Sequence, residues 1–327
     1  MRRTLIALAL LVLLVPAGAP AERSDARAAV SIFYYPWYGT PRRDGAYAHW
    51  NQRGHRPPTE IASAFYPARG AYSSSDRRVL AAHMADIRAA GVDQLVSSWW
   101  GRGSPEDARL PAIVSAAKAV GLTVAVHVEP YGGRTPETVA ADAAAFQRLG
   151  VREIYVYGPQ DAAPADWAAA LRSLSGVRVF AHTSLAGFAR AGGFAGLYTY
   201  DVLVNDGRSF GRLCAQARRA GLLCSPSVGP GYDARRAVGD PRVKARRGGR
   251  TYDAMWAAAL AARADGITVT SYNEWHEGTQ IEAARVRPGY GDYGPAWGAR
   301  GVAAERAYLD RTAYWSDRFG ARRRLRP

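Results

Sequence analysis

The feature that most constrains this chain is a repeated junction: a helical stretch ends at glycine, and a β-branched or leucine residue then opens a short strand. It occurs at Gly91-Val92, Gly121-Leu122, Gly150-Val151, Gly176-Val177, Gly196-Leu197, Gly221-Leu222 and Gly266-Ile267. Glycine suits the left-handed backbone position that terminates a helix, which accounts for its recurrence there. The stretches before it are amphipathic. Leu80, Met84 and Ile87 share one face before Gly91, and Thr135-Pro136 opens a helix carrying Val139, Phe146 and Leu149. With an initial run from Val30 to Tyr35, the junctions predict eight strands alternating with helices. That alternation calls for a parallel sheet, and eight units fit a single closed (β/α)₈ TIM barrel. An open doubly wound sheet is the alternative, but no GxGxxG joins a strand to a helix.

A barrel puts its chemistry at the C-terminal ends of the strands. In this chain those ends are Tyr35-Pro36-Trp37-Tyr38, Ser98-Trp99-Trp100-Gly101, His127-Val128-Glu129-Pro130-Tyr131, Tyr155-Val156-Tyr157, His182-Thr183, Tyr198-Thr199-Tyr200-Asp201 and Gly231-Tyr232-Asp233. The eighth is the densest, Ser271-Tyr272-Asn273-Glu274-Trp275-His276-Glu277-Gly278-Thr279-Gln280, directly after the apolar run Ile267-Thr268-Val269-Thr270. Aromatic faces stack on sugar rings, and carboxylates, imidazoles and amides bond hydroxyls. Glu274 and Glu277 supply the two carboxyl groups that glycoside cleavage commonly requires. A neighbour such as Trp275 can raise one carboxyl pKa while donors keep the other ionised. The long loop that follows Gly39, up to about Ser74, carries Trp50, Phe65, Tyr66 and Tyr72, which argues for an ordered loop at the catalytic face.

Other chemistries fit less well. His127, Glu129, His276 and Glu277 invite a metal reading, but HExxH and other zinc spacings are missing, so no metal or cofactor is expected. There is no GxSxG elbow or P-loop. Adjacent Trp99 and Trp100 face opposite sides of a strand, and Trp100 is assigned to the mouth. Met255, Trp256, Trp297 and Trp315 are expected to pack the core.

The N-terminus is separate from the fold. Arg2-Arg3, the apolar run Leu5 to Val15 and Ala19-Pro20-Ala21 have the three regions of a secretory signal, so residues 1–21 are expected to be removed. Residues 22–29 form a short leader, residues 30–320 the catalytic domain and residues 321–327 a basic tail. The product is expected outside the cell or on its wall, without stable membrane insertion and as a monomer. The formal charge is +15, and +13 without Arg2 and Arg3. The arginines are scattered and accompany no nucleic-acid-binding motif, so no nucleic-acid partner is expected. Cys214 and Cys224 flank a helix-to-strand turn. Export permits a bridge, while side-chain direction can forbid it, so both a disulfide and two free buried thiols are open.

Taken together, Phe33 to Gly39, Ser98 to Gly101, His127 to Tyr131, Gly229 to Tyr232, His83-Met84 and Ser271 to Glu282 resemble glycoside hydrolase family 99, the endo-α-1,2-mannosidases and endo-α-1,2-mannanases. The similarity runs in order from about Val30 to Ala284. Ala283 departs from the proline that usually follows the motif. The resemblance implies a metal-free barrel that hydrolyses internal α-1,2-mannosidic bonds with retention, acting on α-mannan or mannose-containing oligosaccharides. It assigns Glu274 as base on the substrate's 2-hydroxyl and Glu277 as acid on the leaving oxygen, through a 1,2-anhydro sugar. The expected substrate-binding set is Tyr35, Trp37, Trp100, His127, Glu129, Tyr131, Tyr232, Asn273 and His276. A sugar-binding barrel without catalysis is the alternative, although such a protein has no need to keep both glutamates.

Overall fold

The structure, a computed structural model, describes residues 30–324. The expected signal and leader, residues 1–29, lie outside the described residues. Parallel strands run in the order β1 (Val30–Tyr34), β2 (Gln94–Trp99), β3 (Thr123–Val128), β4 (Glu153–Val156), β5 (Arg178–His182), β6 (Gly196–Tyr198) and β7 (Leu223–Ser225). Next come β8 (Ser227–Val228), a hairpin of β9 (Tyr232–Asp233) and β10 (Val243–Lys244), and β11 (Ile267–Val269). The main sheet is ordered β7-β6-β5-β4-β3-β2-β1-β11-β8.

Its two ends belong to one stave. β7 and β8 are separated only by Pro226, which has no N–H to give the ladder. The first half pairs with β6 and the second with β11. Counting the halves together, the nine strands make the eight staves expected from the sequence, and the barrel closes across Pro226.

The helices are α1 (Pro41–Asp44), α2 (Arg77–Ala89), α3 (Pro105–Ala119), α4 (Pro136–Arg148), α5 (Pro164–Leu171), α6 (Ala186–Ala191), α7 (Phe210–Arg219), α8 (Arg250–Ala261) and α9 (Ala307–Arg324). The longer ones cover the outside. Thr135 caps α4 through its side chain, and Leu80, Met84 and Ile87 of α2 are buried. Gly91, Gly121, Gly150 and Gly221 follow their helices with φ of +71°, +77°, +89° and +70°, the conformation a helix stop requires. Gly196 has a different role. Gly193 takes the left-handed position after α6, while a Cβ on Gly196 would lie 2.7 Å from the Phe180 ring and 2.8 Å from the Leu223 carbonyl. Only glycine lets β6 pass between its neighbours.

Aromatic rings fill the upper barrel. Phe33 lies 4.7 Å from His127, 5.7 Å from Tyr198 and 5.1 Å from Tyr200 by ring centres. Met255 and Trp256 are buried as expected, and Trp315 stacks on Trp256. Asp253 accepts from Arg311, Trp297 and Trp315, joining α8 to α9. Residues 321–324, expected as tail, continue α9. Cys214 and Cys224 form a disulfide with their Cα atoms 5.2 Å apart, which resolves the open alternatives. Among the described residues no helix is long and apolar enough to cross a membrane.

Candidate active site

The loop after β11 is held from beneath before it presents anything to solvent. The Asn273 side-chain oxygen accepts the Tyr35 N–H at 2.7 Å, and its amide donates to the Tyr35 carbonyl at 2.9 Å. This residue therefore splices the loop to the end of β1. Tyr38 donates its hydroxyl to the Asn273 carbonyl and accepts the Trp275 N–H. The Trp275 indole is fully buried and donates to Glu282 at 3.0 Å. Glu282, also fully buried, accepts from Tyr72 at 2.8 Å and lies 3.1 Å from His83 Nε2. A buried carboxyl with this many partners fixes geometry, because losing any one donor leaves desolvated polarity uncompensated.

Above this support lies a cavity of about 510 Å³. Trp37, Trp100, Tyr232, Glu274, His276 and Glu277, all expected from the sequence, line it. Trp100 remains 39% exposed while Trp99 is buried, which settles the choice between the two. Tyr35, His127 and Glu129 sit one layer lower. There Trp37 Nε1 donates to Ser98, the Ser98 hydroxyl donates to Glu129 at 2.7 Å, and Glu129 stands 3.0 Å from His127 Nδ1. That chain fixes the plane of the Trp37 ring.

Two expected residues are placed elsewhere. Asn273 has both amide atoms committed to backbone, and Tyr131 packs edge-on against Trp99, with Gly101 leaving room for its ring. Neither is among the residues lining the cavity. Sequence reasoning missed His49, Gln52, Glu106 and Val238, which also line it. Glu106 reads in sequence as an ordinary acid in the first turn of α3, and His49 and Gln52 come from the long loop. Tyr200 was visible as a strand-tip aromatic but was not selected.

Burial sets the electrostatics. Glu274 is raised well above the usual carboxyl range, first by burial and then by the charge of Glu277; the His276 backbone N–H, 3.0 Å away, opposes this. Glu277 is raised to about 7 by burial and then by Asp201, with the Tyr200 hydroxyl opposing. With Glu274 buried and Glu277 half-buried, both carboxyls keep a proton more readily than a solvated glutamate does. Glu274 accepts the His276 backbone N–H at 3.0 Å, and Glu277 accepts the Tyr200 hydroxyl at 3.3 Å.

His276 is pushed down to about 4 by burial and is neutral. Its Nε2–H donates to the His49 carbonyl at 2.8 Å, leaving Nδ1 bare 3.8 Å from Glu274. The two imidazoles stack 5.3 Å apart. Tyr35 donates to the Tyr200 hydroxyl at 2.5 Å, and Tyr200 passes the bond on to Glu277. Among the described residues no group of three His, Cys, Asp or Glu is arranged to hold a metal ion. Two carboxyl groups with raised pKa values line an aromatic mouth.

Residues 26–321 match the model of Glycosyl hydrolase family 99. A Glycoprotein endo-alpha-1,2-mannosidase-like protein of Danio rerio is 34% identical, over 89% of this chain and 78% of the relative. Its Homo sapiens counterpart is 32% identical, over 92% and 78%. The solved GH99 endo-alpha-mannosidase from Bacteroides thetaiotaomicron superposes with a TM-score of 0.82 at 30% identity, covering 91% of this chain and 99% of that one. The (β/α)₈ barrel with a carboxyl pair at its mouth thus has close structural and sequence relatives, and the chain belongs to glycosyl hydrolase family 99 and is a glycoside hydrolase.

Proposed function

We propose that the enzyme cleaves internal α-1,2-mannosidic bonds of mannan or mannose-rich glycans with retention, using Glu274 as base and Glu277 as acid. The carrying observation is the pair itself: two glutamates three residues apart that line one aromatic cavity, both with carboxyl pKa values raised by burial. The names of the relatives support the substrate class.

In an α-mannoside the 2-hydroxyl is axial and anti to the axial leaving group. Glu274 takes the hydroxyl proton, O2 attacks the anomeric carbon from behind, and the glycosidic bond breaks. Glu277 gives its proton to the departing oxygen. In the second half, Glu277 takes a proton from water as that water attacks the anomeric carbon. The three-membered ring opens and Glu274 returns its proton to O2. Two inversions give net retention. The intermediate is a 1,2-anhydro sugar, unlike the glycosyl ester of most retaining enzymes. This route suits two carboxyls from one loop, since neither must reach the anomeric carbon as a nucleophile.

The tripartite N-terminus supports export with loss of residues 1–21, and N-terminal sequencing of the protein from its native host tests that. For the reaction, the enzyme is incubated with an α-1,2-linked mannose oligosaccharide and the products are separated and followed by NMR. Internal cleavage with first-formed α product is expected. Binding without cleavage would overturn the reading in favour of a sugar-binding barrel. An analogue lacking only the 2-hydroxyl on the cleaved mannose should not turn over, and hydrolysis at a comparable rate would rule out attack by O2.

A further inference from the structure

After β8 the chain leaves the barrel as a strap, residues 231–246, whose arms pair antiparallel at Val243 with Asp233 and Lys244 with Tyr232. Its inner face gives Tyr232 and Val238 to the cavity. Its base lies directly on the catalytic loop. The Asp233 N–H donates to the Glu277 carbonyl at 2.7 Å. A Cβ on Gly278 would come within 2.9 Å of the Asp233 carbonyl oxygen.

Arg246 ends the strap. One guanidinium nitrogen, Nη2, donates to the Gly278 carbonyl at 3.0 Å and the Gln280 carbonyl at 2.6 Å. The guanidinium carbon stands 4.6 Å from the ring centres of Phe65, Tyr293 and Tyr308. Those rings come from separate segments of the chain, and Tyr293 itself donates to the Glu282 carbonyl. Nε and Nη1 are buried without hydrogen-bond partners, so the two loop carbonyls take the hydrogen bonds and the ring faces take the charge. A flat, weakly hydrated guanidinium fits such a cage; a compact ammonium does not.

We infer that Arg246 is a positioning residue: it pins the strap to the loop immediately behind Glu277 and so fixes where that carboxyl stands and how much water reaches it. The inference rests on Glu277 being the acid. Loss of the pin frees the Gly278 and Gln280 carbonyls, loosens the Asp233 contact and opens the back of the site. Glu277 faces Asp201, Tyr200, Glu129, Asp240, Tyr232, Tyr157, Tyr35 and Glu274, and burial is the largest cause of its raised pKa. Admitted water therefore lowers that pKa.

The test is the pH profile of kcat/KM for Arg246→Lys and Arg246→Ala on an α-1,2-linked mannoside, with thermal unfolding in parallel. Misplacing a reacting group by about 1 Å costs on the order of 10²-fold. We expect about that loss for Arg246→Ala, about tenfold for Arg246→Lys, and in both a basic limb moved to lower pH. Sign separates the causes. Removing a positive charge that acted directly on Glu277 would move the limb up, and a smaller folded fraction would move neither limb. Either result overturns the inference. If Arg246→Ala does not fold, Arg246→Lys, which keeps the charge, carries the same test. Full activity of Glu277→Gln on an unactivated substrate would instead remove the acid assignment, whereas an unmoved limb with Glu277 essential sinks only the role of Arg246.

Discussion

Glu277→Gln tests the acid most directly, because the amide keeps the size of the side chain and can still accept from Tyr200 while having no proton to give. The wild-type carboxyl is raised to about 7 by burial and by Asp201. Below that pH it carries its proton, and above it kcat/KM falls about tenfold for each further pH unit. At pH 9 about one Glu277 in a hundred is still protonated, so the wild type should lose about 100-fold from its plateau. The variant has no acid to lose and should lack this limb. On the plateau it should be about 10²–10⁴-fold slower with a sugar leaving group, the usual worth of general acid help, and the gap should close as pH rises. A fluoride or activated aryl leaving group needs no protonation, so there the two enzymes should differ by less than about tenfold in the first chemical step. Initial rates on both substrate types across pH give the answer. A variant that keeps the basic limb, or is equally impaired on both substrates, would show that the limb belongs to another group.

Glu274→Gln should be inactive on both substrate types while retaining oligosaccharide binding by calorimetry, since an activated leaving group does not replace the base; rescue equal to that of Glu277→Gln would contradict the assignment. Tyr200→Phe removes the hydroxyl that stabilises the charged form of Glu277, so its pKa should rise and the basic limb of kcat/KM should move above its wild-type position; a downward move would refute the hydrogen-bond argument. Replacing Cys214 and Cys224 together with alanine opens a link across a sequence separation of 10 and should cost about 2–3 kcal/mol in urea unfolding, an effect that a reductant should reproduce in the native chain.

The barrel could be read from the sequence because its signals are local. A helix stop, a β-branched opening and a polar strand tip each fit within a few residues and recur around the chain. Where one local signal served two purposes, the reading slipped: Gly196 looked like another helix stop, but Gly193 is the stop and Gly196 lets β6 pass Phe180 and Leu223. The split at Pro226 was equally invisible, because a stave that pairs to the left with its first half and to the right with its second still reads as one short strand. The cavity followed the same rule. Residues at the strand tips, such as Trp37, Tyr232 and Glu277, were legible, while Glu106, His49 and Val238 reach it from a helix start, a long loop and the strap. Nothing in the local pattern of those three marks them.

Asn273 shows why a conspicuous motif does not by itself reveal what each member does. Its amide sits among glutamates, an indole and an imidazole, and its chemistry suits sugar hydroxyls as well as it suits peptide groups. Only the approach of β1 commits it to the Tyr35 backbone, 238 residues away in sequence. The same holds one layer deeper, where Trp275 is fixed by Glu282 and the Gly278 carbonyl by Arg246. A buried polar group must have partners, yet the sequence names the need without naming the partner. The carboxyl pair is thus legible because both members fall within one short motif, and its support is not, because any part of the fold that brings a donor within reach will serve. Substitutions in that support should consequently act through the position and hydration of Glu274 and Glu277, and their signature should be a moved pH profile as well as a reduced rate.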